Sequence, residues 1–117
     1  MKVLIVDDEP LLLEIWVNMF SDLGWHVTTA PNGNAGRECL EAKDYDIVIT
    51  DIRMPEGDGF VVLNSIREKS GVPPITYVSS GYIDEEQVVL ESYAIERIIR
   101  KPFSFGEEQS YFREKFL

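Results

Sequence analysis

The chain has 117 residues, 44% of them hydrophobic and 27% charged, a balance typical of one soluble globular domain. Its formal net charge of −10 argues against direct nucleic-acid binding, because that function needs clustered Lys and Arg side chains. No apolar run approaches the roughly 20 residues that span a bilayer. The single Cys39 rules out an internal disulfide. We therefore expect a cytoplasmic protein without membrane contact.

Short apolar runs alternate with helix-like segments in the first half of the chain. The predicted strands there are residues 2–6, 25–30 and 46–50. The first helix is expected to have Asp8 as its N-cap and Pro10 in its first turn, and to end at Gly24. Residues 34–43 follow as a short second helix.

The same alternation continues in the second half. A loop rich in Pro and Gly, residues 52–59, precedes a third helix that carries Phe60, Leu63 and Ile66. The later predicted strands are residues 75–78 and 97–100, and the later predicted helices are about residues 84–93 and residues 104–116. Five strands alternating with five helices predict an α/β domain in which helices cover both faces of a parallel sheet.

Polar residues follow four of the predicted strands. They are Asp7, Asp8, Asp51, Ser79, Ser80 and Lys101. Because ligands bind beyond the carboxyl ends of parallel strands, we expect these side chains to share one edge. Three close carboxylates repel one another, and Mg²⁺ with its preference for oxygen ligands relieves that repulsion. A carboxylate is also a nucleophile toward phosphorus, so the set predicts phosphoryl transfer to an aspartate.

Several motifs, in this order and spacing, resemble those of the response-regulator receiver family over nearly the whole chain. They are Val6-Asp7-Asp8-Glu9-Pro10, Ala30-Pro31-Asn32-Gly33, Tyr45-Asp46-Ile47-Val48-Ile49-Thr50-Asp51-Ile52-Arg53-Met54-Pro55, Asp58-Gly59, Val78-Ser79 and Lys101-Pro102-Phe103. The resemblance implies that residues 1–117 form one receiver domain. It also implies a doubly wound, flavodoxin-like five-stranded sheet with strand order 2-1-3-4-5.

The resemblance assigns a metal site and a phosphoacceptor. Asp51 would be the phosphoacceptor and a ligand of Mg²⁺. Asp8 would bind the ion directly, and Asp7 would act mainly through a water molecule. The backbone carbonyl of Arg53 would be a further ligand.

It also assigns residues that hold the phosphoryl group. Ser79 would donate a hydrogen bond to a phosphoryl oxygen, and Lys101 would pair with the phosphoryl group. The Lys101-Pro102 peptide bond would be cis. The Asp58-Gly59 turn would shape the loop beneath the acceptor. Receivers usually carry Tyr or Phe three residues before the lysine, where this chain has Ile98. We hypothesise that signalling here uses the loop after Ser79 or a modified fourth helix.

The implied function is that of a signalling module rather than a turnover enzyme. A sensor histidine kinase or a phosphotransfer protein would donate the phosphoryl group, and a downstream protein target would respond. The fourth helix, fifth strand and last helix would form the output face, which could also support a homodimer. Because no effector domain follows residue 117 in this sequence, we expect either a stand-alone regulator or a receiver cut from a longer chain.

Three other functions share parts of this pattern. A phosphohydrolase of the haloacid-dehalogenase type needs Asp-x-Asp after the first strand, whereas Asp7 and Asp8 are adjacent and Asp51 is followed by Ile52-Arg53. A degenerate receiver that only binds proteins would lack part of the acceptor set. A flavodoxin-like cofactor binder would need a phosphate loop where Asp8-Glu9-Pro10 repels phosphate, and fold alone does not decide between these functions.

Overall fold

The computed structural model describes residues 1–81 and 89–117, which contain five strands and four helices. The strands are β1 (Lys2–Val6), β2 (His26–Ala30), β3 (Ile47–Thr50), β4 (Ile75–Ser80) and β5 (Arg97–Arg100). The helices are α1 (Pro10–Ser21), α2 (Gly33–Ala42), α3 (Gly59–Glu68) and α4 (Phe105–Phe116). All four strand pairings are parallel, and the strand order is β2-β1-β3-β4-β5. The predicted α/β fold and its strand order are therefore confirmed.

Two apolar cores lie on opposite faces of the sheet because successive strand residues point to opposite sides. On one face, α1 and α4 contribute Trp16, Phe20 and Phe112, which pack against Ile5 and Ile49. On the other face, α2 and α3 pack on alternate residues of the same strands. That second core includes Leu4, Val6, Leu40, Val48 and Val62. The central strands are thus buried on both sides, which explains their continuous apolar sequences.

The ends of α1 differ from those expected. Glu9, rather than Asp8, is the N-cap residue, and its side chain makes no capping hydrogen bond. The helix ends at Ser21 instead of running to Gly24. Gly24 lies in the closing turn with φ +80°, a conformation that glycine adopts without a steric penalty. The glycine therefore marks the turn after the helix rather than its last residue.

Strand β4 is two residues longer than expected, because Ser79 and Ser80 still pair with β5. Their partners are Ile99 and Arg100, and the amide of Lys101 donates to the carbonyl of Ser80 at 3.2 Å. Ser79 and Ser80 thus belong to the strand rather than to the loop after it. The backbone of Ser79 is held by the sheet.

The predicted fourth helix at residues 84–93 falls partly outside the described residues, and so does the loop after Ser79. In its described part, the amides of Ser92 and Tyr93 donate to the carbonyls three residues earlier, Val89 and Leu90. Leu90 is buried in a third apolar cluster, which also contains Ile52, Leu63 and Val78. Among residues 1–81 and 89–117, no helix combines the length and apolar character needed to cross a membrane.

Candidate functional site

The carboxyl ends of β1, β3 and β5 bring a lysine and two buried aspartates together. The Nζ atom of Lys101 donates to Asp7 Oδ2 at 3.0 Å and to Asp51 Oδ2 at 2.9 Å. It also lies 3.7 Å from Glu9 Oε2. The parallel topology produces this convergence, since the ends of neighbouring parallel strands lie along one edge of the sheet.

A third carboxylate belongs to the same cluster. One oxygen from each of Asp7, Asp8 and Asp51 lies within 4.8 Å of the other two. Asp7 and Asp51 are 1% and 7% exposed, whereas Asp8 is open to solvent. The cluster therefore has one accessible carboxylate at its mouth and two at its base.

Burial and hydrogen bonding oppose each other at these charged groups. Burial raises the pKa of Asp7, and hydrogen bonds from the Glu9 amide and Lys101 only partly offset it. Burial alone would lower the pKa of Lys101, but its hydrogen bonds to Asp51 and Asp7 prevail and raise it. Lys101 therefore remains a cation beside more carboxylates than it can neutralise.

Backbone contacts fix the two buried aspartates at the ends of their strands. The amide of Asp7 donates to the carbonyl of Ala30 at 3.1 Å, and Asp7 Oδ1 accepts from the Glu9 amide at 2.9 Å. The amide of Asp51 donates to the carbonyl of Val6 at 2.9 Å. Each aspartate thus extends the hydrogen-bonding ladder by one residue, which sets the direction of its side chain.

The turn after Asp51 is tight. The Ile52 amide donates to Asp51 Oδ1 at 2.7 Å, and the Gly59 amide donates to the carbonyl of Ile52 at 2.7 Å. A Cβ atom on Gly59 would overlap the carbonyl oxygen of Asp51, so only glycine permits this approach. Asp58 caps α3 by accepting from the Phe60 amide at 2.9 Å. The Asp58-Gly59 pair therefore lies directly beneath Asp51.

Ser79 lies on the neighbouring strand and is fully buried. Its Oγ atom has no hydrogen-bond partner among the residues that the structure describes. A buried hydroxyl without a partner is unfavourable, so this donor is suited to a ligand atom. The bond between Lys101 and Pro102 is cis.

The remaining sequence candidates lie at the margin of the cluster. Arg53 is exposed on the loop two residues after Asp51. Ile98 is half-buried and packs beside the third apolar cluster, near Val78. Sequence reasoning did not single out Glu9 as a member of the site, although it follows the acidic pair directly.

The donor set fits a hard divalent cation. Mg²⁺ binds oxygen at about 2.1 Å in an octahedron, so neighbouring ligand oxygens are about 3.0 Å apart and opposite ones are about 4.2 Å apart. The carboxylate oxygens of Asp7, Asp8 and Asp51 already lie within 4.8 Å of one another. A small adjustment would bring them to this spacing, and no sulfur or imidazole ligand belongs to the group.

An exposed apolar groove adjoins the cluster. It is lined by Leu12 and Ile15 of α1 and by Phe103 and Phe105 after β5, and the charged residues Glu9 and Lys101 also line it. Ile15 and Phe105 are 37% and 38% exposed. The groove therefore provides an apolar surface directly beside the charged site, on which a partner protein could dock.

Comparisons with known proteins agree with this geometry. The family model described as the response regulator receiver domain matches residues 3–111. A probable transcriptional regulator, ycf27, of Guillardia theta is 37% identical over 112 residues, which are 96% of this chain and 44% of that protein. The transcriptional regulatory protein CusR of Escherichia coli is 32% identical over 108 residues, which are 92% and 47% of the two chains. The chain thus spans less than half the length of these two relatives.

Solved structures show the same architecture. The response regulator TrrA of Thermotoga maritima, in complex with Mg²⁺-BeF, has a TM-score of 0.81 and 29% identity, covering 97% of this chain and 96% of that one. A receiver domain protein of Methanospirillum hungatei has a TM-score of 0.86 at 22% identity, covering 97% and 91%. The second likeness concerns the fold alone.

Proposed function

The chain belongs to the response regulator receiver domain family, and we propose that it accepts a phosphoryl group on Asp51 with the help of a bound Mg²⁺ ion. Receiver domains are signalling domains of two-component systems. The observation that supports this proposal best is the contact of one lysine with two buried aspartates, beside a third that is exposed. We further propose that the receiver domain comprises residues 1–117, of which the family model covers 3–111.

The metal ligands in this proposal are the carboxylates of Asp7, Asp8 and Asp51 together with the backbone carbonyl of Arg53. Asp8 would bind directly because it is exposed, whereas Asp7 is already engaged by Lys101 and by the Glu9 amide. Mg²⁺ is bound by the similar protein TrrA, which supports the choice of ion. When bound, Mg²⁺ would neutralise charge on the phosphoryl oxygens.

Asp51 would be the nucleophile. One carboxylate oxygen would form a bond to phosphorus while the bond from phosphorus to the imidazole nitrogen of a phosphohistidine breaks. The imidazole would leave as the neutral base after gaining a proton from solvent, and an acyl phosphate would remain on Asp51. Lys101 would move from Asp51 Oδ2 to a phosphoryl oxygen, and Ser79 Oγ would donate to another.

The family pairs with histidine kinases and downstream effectors. We propose that the phosphoryl donor, a sensor kinase or a phosphotransfer protein, docks on the groove beside Lys101. The relatives are named as transcriptional regulators, so the response here would be a changed contact with a protein target or with another domain. We retain the cytoplasmic location as part of this proposal, on the basis of the single Cys39.

A homodimer through β5 and α4 stays a prediction. On this face Arg97 pairs with Glu108 of the same chain, and Lys115 lies 3.6 Å from Glu96. The Lys115–Glu96 pair is solvent-exposed and contributes little free energy by itself, whereas Glu108 is buried and its pair with Arg97 is made within the chain.

The chain would not be a turnover enzyme, although it would assist its own phosphorylation and dephosphorylation. Asp51 is followed by Ile52 and Arg53 and lacks the second aspartate that a haloacid-dehalogenase type hydrolase uses as acid and base. Steady release of phosphate from a phosphomonoester would contradict this part of the proposal.

The test is incubation with acetyl phosphate, with and without Mg²⁺, followed by measurement of the intact mass. We expect the mass of one phosphoryl group to be gained only when Mg²⁺ is present, and we expect no gain in an Asp51→Asn variant. A folded wild-type protein that gains no mass and also fails to bind beryllofluoride would reject phosphoryl acceptance.

A further inference from the structure

The peptide group between Asp51 and Ile52 is hydrogen-bonded at both ends. Its carbonyl oxygen, on Asp51, accepts from the hydroxyl of Thr50 at 2.8 Å. Its N–H, on Ile52, donates to Asp51 Oδ1 at 2.7 Å. Because a peptide group is planar, the orientation of the carbonyl also fixes the direction of the N–H. By holding this carbonyl, the hydroxyl of Thr50 thus orients the Ile52 N–H and the hydrogen bond that it donates to the carboxylate of Asp51.

Thr50 is a polar residue in an otherwise apolar strand. It is fully buried at the end of β3, between Val6 of β1 and Val78 of β4. Burying a hydroxyl is unfavourable unless it is hydrogen-bonded. The Thr50 hydroxyl meets this requirement by donating to the carbonyl of Asp51. Packing of the β-branched side chain would be served equally by valine, so the hydroxyl needs a separate explanation.

The carbonyl of Asp51 is enclosed from a second side by Gly59, whose close approach leaves no room for a Cβ atom. With the peptide plane held in this way, Asp51 Oδ1 stays on the Ile52 amide and Oδ2 faces Lys101. Rotation of the carboxylate about its terminal bond is therefore restrained before any phosphoryl donor arrives.

We propose that Thr50 is a positioning residue for phosphoryl transfer to Asp51. This inference rests on the proposed function. Thr50 hydrogen-bonds the backbone carbonyl of Asp51 rather than its carboxylate, and it acts by orienting the nucleophilic carboxylate through the peptide group of residues 51 and 52. Pre-orientation of a reacting group raises the maximal rate, because misplacement by about 1 Å can lower a rate about a hundredfold.

Two substitutions separate the hydroxyl from the packing of the side chain. Thr50→Val keeps the branched shape and removes the donor, whereas Thr50→Ser keeps the donor and removes a methyl group. At saturating Mg²⁺, we expect the maximal rate of phosphorylation by acetyl phosphate to fall about tenfold in Thr50→Val, the equivalent of one neutral hydrogen bond. We expect the rate of Thr50→Ser to stay within about twofold of wild type, although its lost methyl contact lowers Tm.

The experiment measures the initial rate against acetyl phosphate concentration for each variant, with Tm recorded alongside. The positioning role of the Thr50 hydroxyl would be overturned by equal maximal rates in Thr50→Val and wild type. It would also be overturned if Thr50→Ser were as slow as Thr50→Val. A wild-type protein that is not phosphorylated would overturn the proposed function and this inference with it. If Thr50→Val does not fold, Thr50→Ser and Thr50→Ala supply the comparison, because they differ only in the hydroxyl.

Discussion

At Lys101, a single ammonium group is shared between two buried carboxylates and lies 3.7 Å from Glu9 Oε2. Attraction between opposite charges at such distances is strong where water is largely excluded. The lysine therefore has two effects of opposite sign: it lowers the repulsion between Asp7 and Asp51, and it competes with any cation that these carboxylates would bind.

Replacing Lys101 with methionine should separate these effects. We expect Lys101→Met to bind Mg²⁺ at least as tightly as wild type, because the competing cation is gone. We expect phosphorylation by acetyl phosphate to slow by about a hundredfold, since one charge-assisted donor to the transition state is lost. Calorimetric titration with Mg²⁺ and the rate of mass gain measure the two quantities.

A matched control is Lys43→Met, which removes one exposed lysine away from the cluster and should leave both quantities unchanged. Weaker Mg²⁺ binding in Lys101→Met than in wild type would contradict this account of Lys101 as a competing cation.

Single residues also show where sequence reasoning succeeds and where it stops. Asp7, Asp51 and Lys101 could be expected to meet because each directly follows a strand, and parallel strands share an edge. The hydrogen bond of Thr50 could not, since threonine is common in strands and its donor depends on the orientation of one peptide plane. A polar residue in a continuous apolar run was the available signal.

At the level of elements, α2 is attached to the turn that follows Asp51. The amide of Gly33 donates to the carbonyl of Gly57 at 2.7 Å, and Asn32 Nδ2 donates to Glu56 Oε2 at 3.2 Å. A Cβ atom on Gly33 would lie 2.6 Å from the carbonyl oxygen of Gly57, well inside van der Waals contact. The first turn of α2 and the loop beneath Asp51 therefore support each other.

Two glycine substitutions should change stability in opposite directions. We expect Gly33→Ala to lower the free energy of unfolding by about 2 kcal/mol or more, because the added methyl group displaces a hydrogen-bonded backbone. Gly106→Ala in α4 should raise it by about 0.5–1 kcal/mol, since alanine favours helix and nothing lies within 4 Å of the added atom. Urea denaturation of both variants measures the difference, and a neutral Gly33→Ala would show that the contact is not rigid.

The type and order of the secondary-structure elements could be predicted from the sequence better than the residues at which they begin and end. Continuous apolar runs identify β1 and β3 as strands buried on both faces. The edge strands β2 and β5 are only partly buried and carry polar residues, so their apolar signal is weaker. The ends of strands depend on partners distant in sequence: β4 continues to Ser80 only because β5 supplies a pairing strand. Likewise α1 ends at Ser21 although its apolar spacing and Gly24 favoured a longer helix.

On the scale of the whole molecule, the net charge is −10, and three carboxylates also cluster at one site. Two kinds of cation effect follow from this. Any added salt screens the general repulsion between surface charges. An ion bound by Asp7, Asp8 and Asp51 would instead stabilise the fold through its preference for the native state.

The two effects are separable by substitution. For wild type at matched ionic strength, we expect Mg²⁺ at about 100 times its Kd to raise the free energy of unfolding by about 2.7 kcal/mol more than Na⁺ does. Asp8→Asn should lose most of this extra stabilisation, because it removes the exposed carboxylate of the cluster. Glu38→Gln removes one exposed negative charge on α2, away from the cluster, and should retain the extra stabilisation by Mg²⁺. Thermal denaturation of the three proteins in each salt measures the difference. An equal Mg²⁺ response in all three would mean that the ion acts by screening alone, since only site binding depends on which carboxylate is removed.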